Sequence, residues 1–226
     1  MDTDPTRARL KSKLAERLFG QSIVQNNFRG ELVEEIVNCA IGNTWRHCSN
    51  DWSAWDFERD GVNVDVKQAA ARQSWDQNDE EPRKFTRGKF HINRTSGYYD
   101  GNNWKSKLCR HVHIYILCWH GIDNATADHF EVLTWEFFIL PVTAIQDTKE
   151  KPKNTISVSE LRQMERAGLV RRVGYSDLSD ALDDTASKNR YFPIQPCVTR
   201  AATLRLSANK RFRTFDTIPP SPPATS

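Results

Sequence analysis

No stretch of the chain approaches the roughly 20 consecutive apolar residues that a membrane-spanning helix needs, so a spanning helix is not expected. Cysteine is sparse. Cys39, Cys48, Cys109, Cys118 and Cys197 are odd in number and widely scattered, unlike the framework of a small secreted domain, and reduced thiols are expected. Charge of one sign is not in excess either: 32 Lys and Arg against 29 Asp and Glu leave +3, too little to identify a nucleic-acid binder by net charge. The N-terminal MDTDPTRARLKSKLAERLFG has charge but no uninterrupted apolar run behind it, which argues against a secretory signal. A cytoplasmic protein is expected. No internal repeat is visible.

What is present is material for a core. With 38% hydrophobic residues, seven Trp and eleven Phe in 226 residues, the composition is that of a folded protein rather than a disordered one. The charge is also unevenly placed. From Arg83 to Arg110 there are eight Lys or Arg and one acid, Asp100, interleaved with Phe85, Phe90, Tyr98, Tyr99 and Trp104. From Lys188 to Arg213 there are seven Lys or Arg and no acid. Basic residues among aromatics suit phosphate contact and base stacking. Arg83, Lys84, Arg87, Lys89, Arg94, Lys105 and Lys107 are therefore the expected nucleic-acid contacts.

The first twenty residues read as a basic amphipathic helix, with Leu10, Leu14 and Leu18 at four-residue spacing. A second helix is expected through NNFRGELVEEIVNCAIG, whose Leu32, Val33, Ile36, Val37, Ala40 and Ile41 form one broad face before Gly42 stops it. Short strands are expected around Thr44 to Cys48, Ala54 to Glu58 and Val62 to Gln68, followed by the polar loop WDQNDEEPRK. HVHIYILCWH reads as a strand buried on both faces, and VLTWEFFILP as the next, ended by Pro141. Ser157 and Glu160 match a capping box for a helix that Gly168 stops, and SDLSDALDD suggests a further short helix. This order predicts a mixed α/β domain around one sheet over residues 21–170. The N-terminal helix (1–20) precedes it, a basic extension (171–215) packs on or beside it, and a disordered tail (216–226) closes the chain.

The segment Asp56 to Lys67, DFERDGVNVDVK, is the chemically suggestive one. Asp60 and Gly61 form the dipeptide that best tolerates the positive φ angles of a type I′ turn. Arg59 then faces Val62, Phe57 faces Val64, and Asp56 falls opposite Asp65. Alternation puts Trp55, Phe57, Val62, Val64 and Val66 on one face and Asp56, Glu58, Asn63, Asp65 and Lys67 on the other. Facing residues have Cβ atoms about 4.5–5.5 Å apart, so both aspartates are within reach of one cation. Two carboxylates, a main-chain carbonyl and waters suit Mg²⁺ or Mn²⁺ rather than Zn²⁺. Lys67 can position or deprotonate a water there, or neutralise charge on a phosphate. If the strand continues, Gln73 has the same parity and supports the site.

These residues resemble the PD-(D/E)xK nuclease superfamily, the restriction-endonuclease-like fold. Its pattern is an acid on a first helix, an Asp at the start of a second strand, then Asp or Glu, any residue, and Lys on the following strand. Asp56 matches the first Asp, with Trp55 in place of the usual Pro, and Asp65-Val66-Lys67 matches the second element. The helix acid corresponds to Glu34 of GELVEE, with Glu31 and Glu35 as alternatives. DFERDGVNVDVKQAAARQSW, the segment starting at Arg110, WEFFILP and ISVSEL are similar to an uncharacterised bacterial branch of that superfamily.

The resemblance implies a mixed central sheet flanked by helices and a Mg²⁺-dependent endonuclease acting on double-stranded DNA, with Mn²⁺ as a substitute. Its metal would be held by Asp56, Asp65 and the Val66 carbonyl, with Lys67 and Glu34 as catalytic partners. A type II-like restriction enzyme leaving 5′-phosphate ends is the expectation, acting as a homodimer if it cuts both strands of a symmetric site. A structure-selective repair or junction nuclease and a noncatalytic DNA-binding protein of the same fold are the alternatives.

Zinc is a poorer reading of CRHVHIYILCWH. On a strand Cys109, His111 and His113 share one face while Cys118 and His120 share the other, and no C-x-x-C pair is present. His47-Cys48 is no better. Among the tryptophans, Trp55 belongs to the apolar face, and Trp75 suits either core or surface.

Overall fold

The computed structural model describes residues 5–48, 54–75, 87–100, 103–147 and 152–189, without the side chains of 98–100, 103, 105 and 107. Arg83, Lys84, the DQNDEE stretch, most of the basic C-terminal segment and the tail lie outside the described residues. Helices α1 (Pro5–Phe19) and α2 (Asn26–Ile41) come first. Strands β1 (Arg46–His47), β2 (Phe57–Arg59), β3 (Val62–Ala70), β4 (Lys89–His91), β5 (Thr95–Asp100), β6 (Asn103–Cys109), β7 (Ile114–His120), β8 (Trp135–Pro141) and β9 (Thr155–Ser157) follow. The described chain closes with α3 (Val158–Arg166), β10 (Arg171–Val173) and α4 (Leu178–Asn189).

The expected mixed α/β class is what forms. Six strands make one mixed sheet in the order β1-β2-β3-β7-β8-β10, in which β3 and β7 run parallel and the other neighbours run antiparallel. The hairpin forms in the register read from its turn: Phe57 faces Val64, Glu58 faces Asn63 and Arg59 faces Val62. Asp60 and Gly61 have φ of 52° and 79°, the left-handed pair a type I′ turn requires.

Period-two alternation sorts the sheet's side chains into two cores. Val62, Val64 and Val66 of β3, Ile114, Ile116 and Cys118 of β7, and Phe137 and Ile139 of β8 face one way. There they meet Val33, Ile36, Val37 and Ile41 of α2 and Leu178, Ala181, Leu182 and Ala186 of α4. Tyr115, Leu117 and Trp119 of β7 and Phe138 and Leu140 of β8 face the other way, onto Phe90, Ile92, Ile156, Val158 and Leu161. All seven β7 residues are buried as a result. Each such aliphatic or aromatic side chain contributes ~1.5–3 kcal/mol when fully removed from water.

Two expectations change. The boundary at residue 170 does not separate two units, because β10 is an edge strand of the central sheet and α4 fills part of the first core. Cys39, Cys48 and Cys118 are free thiols, but Cys109 is disulfide-bonded. Helix α1 forms as read and buries none of its residues, leaving Leu10 and Leu14 exposed. Among the described residues no helix is long and apolar enough to cross a membrane. The capping box at Ser157 and Glu160 forms as read, and Gly168, φ 72°, lies just past the end of α3.

Arg94 was expected to contact phosphate, but it pairs with Asp147 at 2.9 Å instead. Asp147 also accepts from both terminal nitrogens of Arg110 and from the Lys153 N–H. Burial pushes the Asp147 carboxyl up, but these donors outweigh it and hold it at about 2. Arg110, itself 1% exposed, further donates to the carbonyls of Ile92 and Lys153. One buried carboxylate thus pins the segment after β4, the entry to β7 and the chain before β9. Asp147→Ala strands a buried guanidinium and should cost ~3–5 kcal/mol of stability. Urea unfolding measures this, and a loss below ~1 kcal/mol would show that the cluster does not hold these segments together.

Candidate functional site

Strand β2 offers β3 only three paired residues, so backbone pairing on that edge ends at Val64. Asp56 takes over from there. Its N–H donates to the Val64 carbonyl at 2.9 Å, so Val64 meets both Asp56 and Phe57, as in a β-bulge. Its carboxylate accepts the Val66 N–H at 2.6 Å, standing where a backbone acceptor would otherwise be. This corrects the expected pairing of Asp56 directly opposite Asp65: the carboxylate reaches β3 along the hydrogen-bonding edge instead. The same irregularity moves Trp55, which packs against the second core and not the first.

Asp65 and Lys67 follow strand parity. They flank Val66, and Lys67 Nζ lies 2.5 Å from Asp65 Oδ1, with the side chains 40% and 14% exposed respectively. Of the three helix acids, Glu31 and Glu35 are exposed, and Glu35 accepts from Asn38 and Cys39 on its own helix. Glu34 is the half-buried one, and its charge acts on both Asp56 and Lys67. His47, which the sequence gave no reason to include, puts Nε2 3.8 Å from Glu34 Oε2 and stacks on Phe57 with ring centroids 4.8 Å apart.

Burial and neighbouring carboxylates together set the electrostatics of the site. Burial first, then Asp65 and Glu34, push the Asp56 carboxyl up to about 8, against the smaller opposing effects of Lys67 and the Val66 N–H. Lys67 moves the other way from a typical buried lysine. Burial works to lower it, but Asp65, Asp56 and Glu34 outweigh this and raise it, so the ammonium stays charged. Tyr115, opposite Asp65 on β7, is raised by burial and by that same carboxylate.

Asp65 and Lys67 open onto a cleft of about 470 Å³. His91, Asn93, Thr95 and Ser96 line one wall, and Trp104 of β6 is at its side. Of the expected phosphate contacts, Arg87 and Lys89 are exposed. Lys105 and Lys107 sit on β6, but their side chains are outside the description. Gln73 does not join the acids, because β3 ends at Ala70 and its parity ends there too. Its amide accepts from Arg29 at 3.0 Å and donates to the Ala70 carbonyl at 2.6 Å. Arg29 also donates to Gln68 and Asn26, so Gln73 helps dock the start of α2.

A divalent cation is the group the resemblance implies. Among the described residues no three His, Cys, Asp or Glu side chains gather closely enough to hold an ion by themselves. The donors that do converge are hard carboxylate oxygens, and burial together with the charges of Asp65 and Glu34 holds the Asp56 carboxyl up. Asp56 and Asp65 with the Val66 carbonyl and waters therefore fit Mg²⁺ or Mn²⁺, which prefer oxygen ligands and retain several waters. No protein-family model matches the chain, and no curated protein matches it, so the site's chemistry alone carries the functional reading.

The raised Asp56 proton has a thermodynamic consequence of definite sign. The folded chain keeps a proton that the unfolded chain releases, so without metal the stability falls as pH rises from the ordinary carboxylate value near 3.8 to about 8. Asp56→Asn keeps an acceptor for the Val66 N–H and removes the charge. It should melt higher than the native chain in metal-free buffer, by a margin that grows between about pH 5 and about pH 8. A margin equal at both ends would show that Asp56 ionises normally.

Proposed function

We propose that the protein is a Mg²⁺-dependent endonuclease that hydrolyses DNA phosphodiester bonds to 5′-phosphate ends, built on the restriction-endonuclease-like variant of the mixed α/β fold. The observation that carries this is the convergence of Glu34, Asp56, Asp65 and Lys67 from a helix, a bulged strand edge and a central strand, with Asp65 and Lys67 lining a cleft. The order also supports it: an acid on a helix, an Asp where the sheet's second strand begins, and Asp-x-Lys on the third.

Asp56, Asp65 and the Val66 carbonyl would hold the ion. Bound Mg²⁺ supplies a Lewis acid for the phosphate and lowers the pKa of a bound water. The chain's own residues do the rest. Lys67, held charged by its acid neighbours, is placed as a hydrogen-bond donor to the charge that builds on the phosphate oxygens. In this protonation state it acts as an electrostatic partner and a positioner of water, and the general-base role is set aside. Glu34 orients waters in the acid group, directly or through His47.

Asp65→Ala and Lys67→Ala should each abolish Mg²⁺-dependent plasmid cleavage while leaving the melting transition cooperative. Undiminished cleavage by the Lys67 variant would remove the assignment, and binding without cleavage by the native chain would favour a noncatalytic DNA-binding protein. Because Asp56 must release its proton to accept the ion, Mg²⁺ affinity should rise by up to ~10-fold per pH unit below about 8. Cleavage at limiting Mg²⁺, followed across this range, measures it. Saturating Mg²⁺ should flatten the profile.

Between the two kinds of substrate the resemblance allows, cutting intact duplex at a recognition sequence and cutting at a DNA structure, the cleft of about 470 Å³ beside Asp65, with Trp104 in its lining, favours the second.

A further inference from the structure

We infer that the cleft beside Asp65 and Lys67 takes an unpaired nucleotide whose base stacks on Trp104, so that the DNA cut here carries a single-stranded segment such as a flap or gap. The inference rests on the nuclease reading for the position of the scissile phosphate, and on the cleft for the rest.

The size of the cleft is the first argument. About 470 Å³ lies in the range that receives one drug-sized molecule, a nucleotide unit and little more. Asp65 and Lys67 occupy its lining together with His91, Asn93 and Trp104, so a phosphate at the acids leaves its own sugar and base directed along that lining. The second argument is Trp104 itself. It is 49% exposed on β6, and Leu108, 47% exposed, follows on the same strand. The two-stranded ribbon of β5 and β6 belongs to neither the central sheet nor the β4–β9 pair, so its tryptophan fills neither core. A large aromatic in the lining of a cleft that also holds Asn93, Ser96 and Lys67 matches the stacking platforms that hold single strands, where every base offers a π-face.

Charge complementarity supplies the third argument. Lys89 shares its strand face with His91, which lines the cleft, and both are exposed. Of the six Lys or Arg from Arg87 to Arg110, Arg94 and Arg110 are taken up by Asp147, while Arg87 and Lys89 are exposed. Among the described lining residues Asp65 is the acid. A polyanion is thus the occupant, and a single strand is the form of it that offers a free base.

The experiment uses the full chain and three labelled DNAs in Ca²⁺ without Mg²⁺: an intact duplex, the same duplex with a single-stranded flap, and that flap with abasic residues. The native chain should bind the flap more tightly than the duplex and lose on the order of tenfold when the flap is abasic. Trp104→Ala should lose a similar factor on the normal flap and nothing more on the abasic one, whereas Trp104→Phe should retain most of the affinity. Additive losses, or equal losses on flap and duplex, would overturn the inference. Cleavage in Mg²⁺ separates the two readings. Efficient cutting of intact duplex with no flap preference leaves a nuclease and removes the unpaired nucleotide. Trp104-dependent flap binding without any cutting leaves the cleft and removes the nuclease. Melting curves of both Trp104 variants confirm that they fold.

Discussion

The hydrogen bond from the Val66 N–H to the Asp56 carboxylate is the contact on which the site's geometry depends. Strand β3 spans nine residues, but β2 pairs with only three of them. Past Val64 the β3 edge has lost its backbone partner, and a buried N–H left unpaired costs ~1–3 kcal/mol. A carboxyl can end the ladder in either protonation state, because one of its oxygens stays free to accept. Once Asp56 is in that place, Val66 is held between Val64 and Gln68 with its side chain in the first core. The residues on either side, Asp65 and Lys67, must then emerge on the opposite face. The apolar alternation that folds the strand and the placement of the two charged groups are one and the same constraint.

That constraint conflicts with stability elsewhere. Three carboxylates acting on one another beside a buried edge are tolerated only because one remains protonated and a lysine stays charged among them. The two cores on either side of the sheet offset this, with β7 buried along its whole length between them. Under the proposed function, an ion placed among the acids would relieve part of that repulsion.

Much of this was legible from residues near each other in the chain. Asp60-Gly61 set the hairpin register by itself, because a two-residue turn leaves no freedom in which residues face each other. The apolar runs of β7 and β8 identified central strands, and Ser157 with Glu160 announced α3. What escaped was short, exposed or non-local. Strands β4, β9 and β10 have three residues each, too few for an alternation to show. Asp56 was placed by strict parity, and parity fails at a bulge. Gln73 was carried along a strand that stops at Ala70. Arg94 looked like a free cation because Asp147, which takes it, lies 53 residues away. Among the acids GELVEE offered three choices, and only docking of α2 against the sheet distinguishes Glu34 from its neighbours.

The cleft has a topological origin of its own. Strands β3 and β7 are parallel, so the chain between Ala70 and Ile114 must return to the end of the sheet from which β3 began. Such returns are usually helical, yet the described part of this one holds β4, β5 and β6. Its root is fixed by Arg110 and Asp147, and its strands pair among themselves or with β9 and never with the central sheet. A crossover built this way arrives at β7 next to the strand that carries Asp65 and Lys67. It brings His91, Asn93 and Trp104 to the same opening, so the segment that solves the parallel connection also makes the wall of the site.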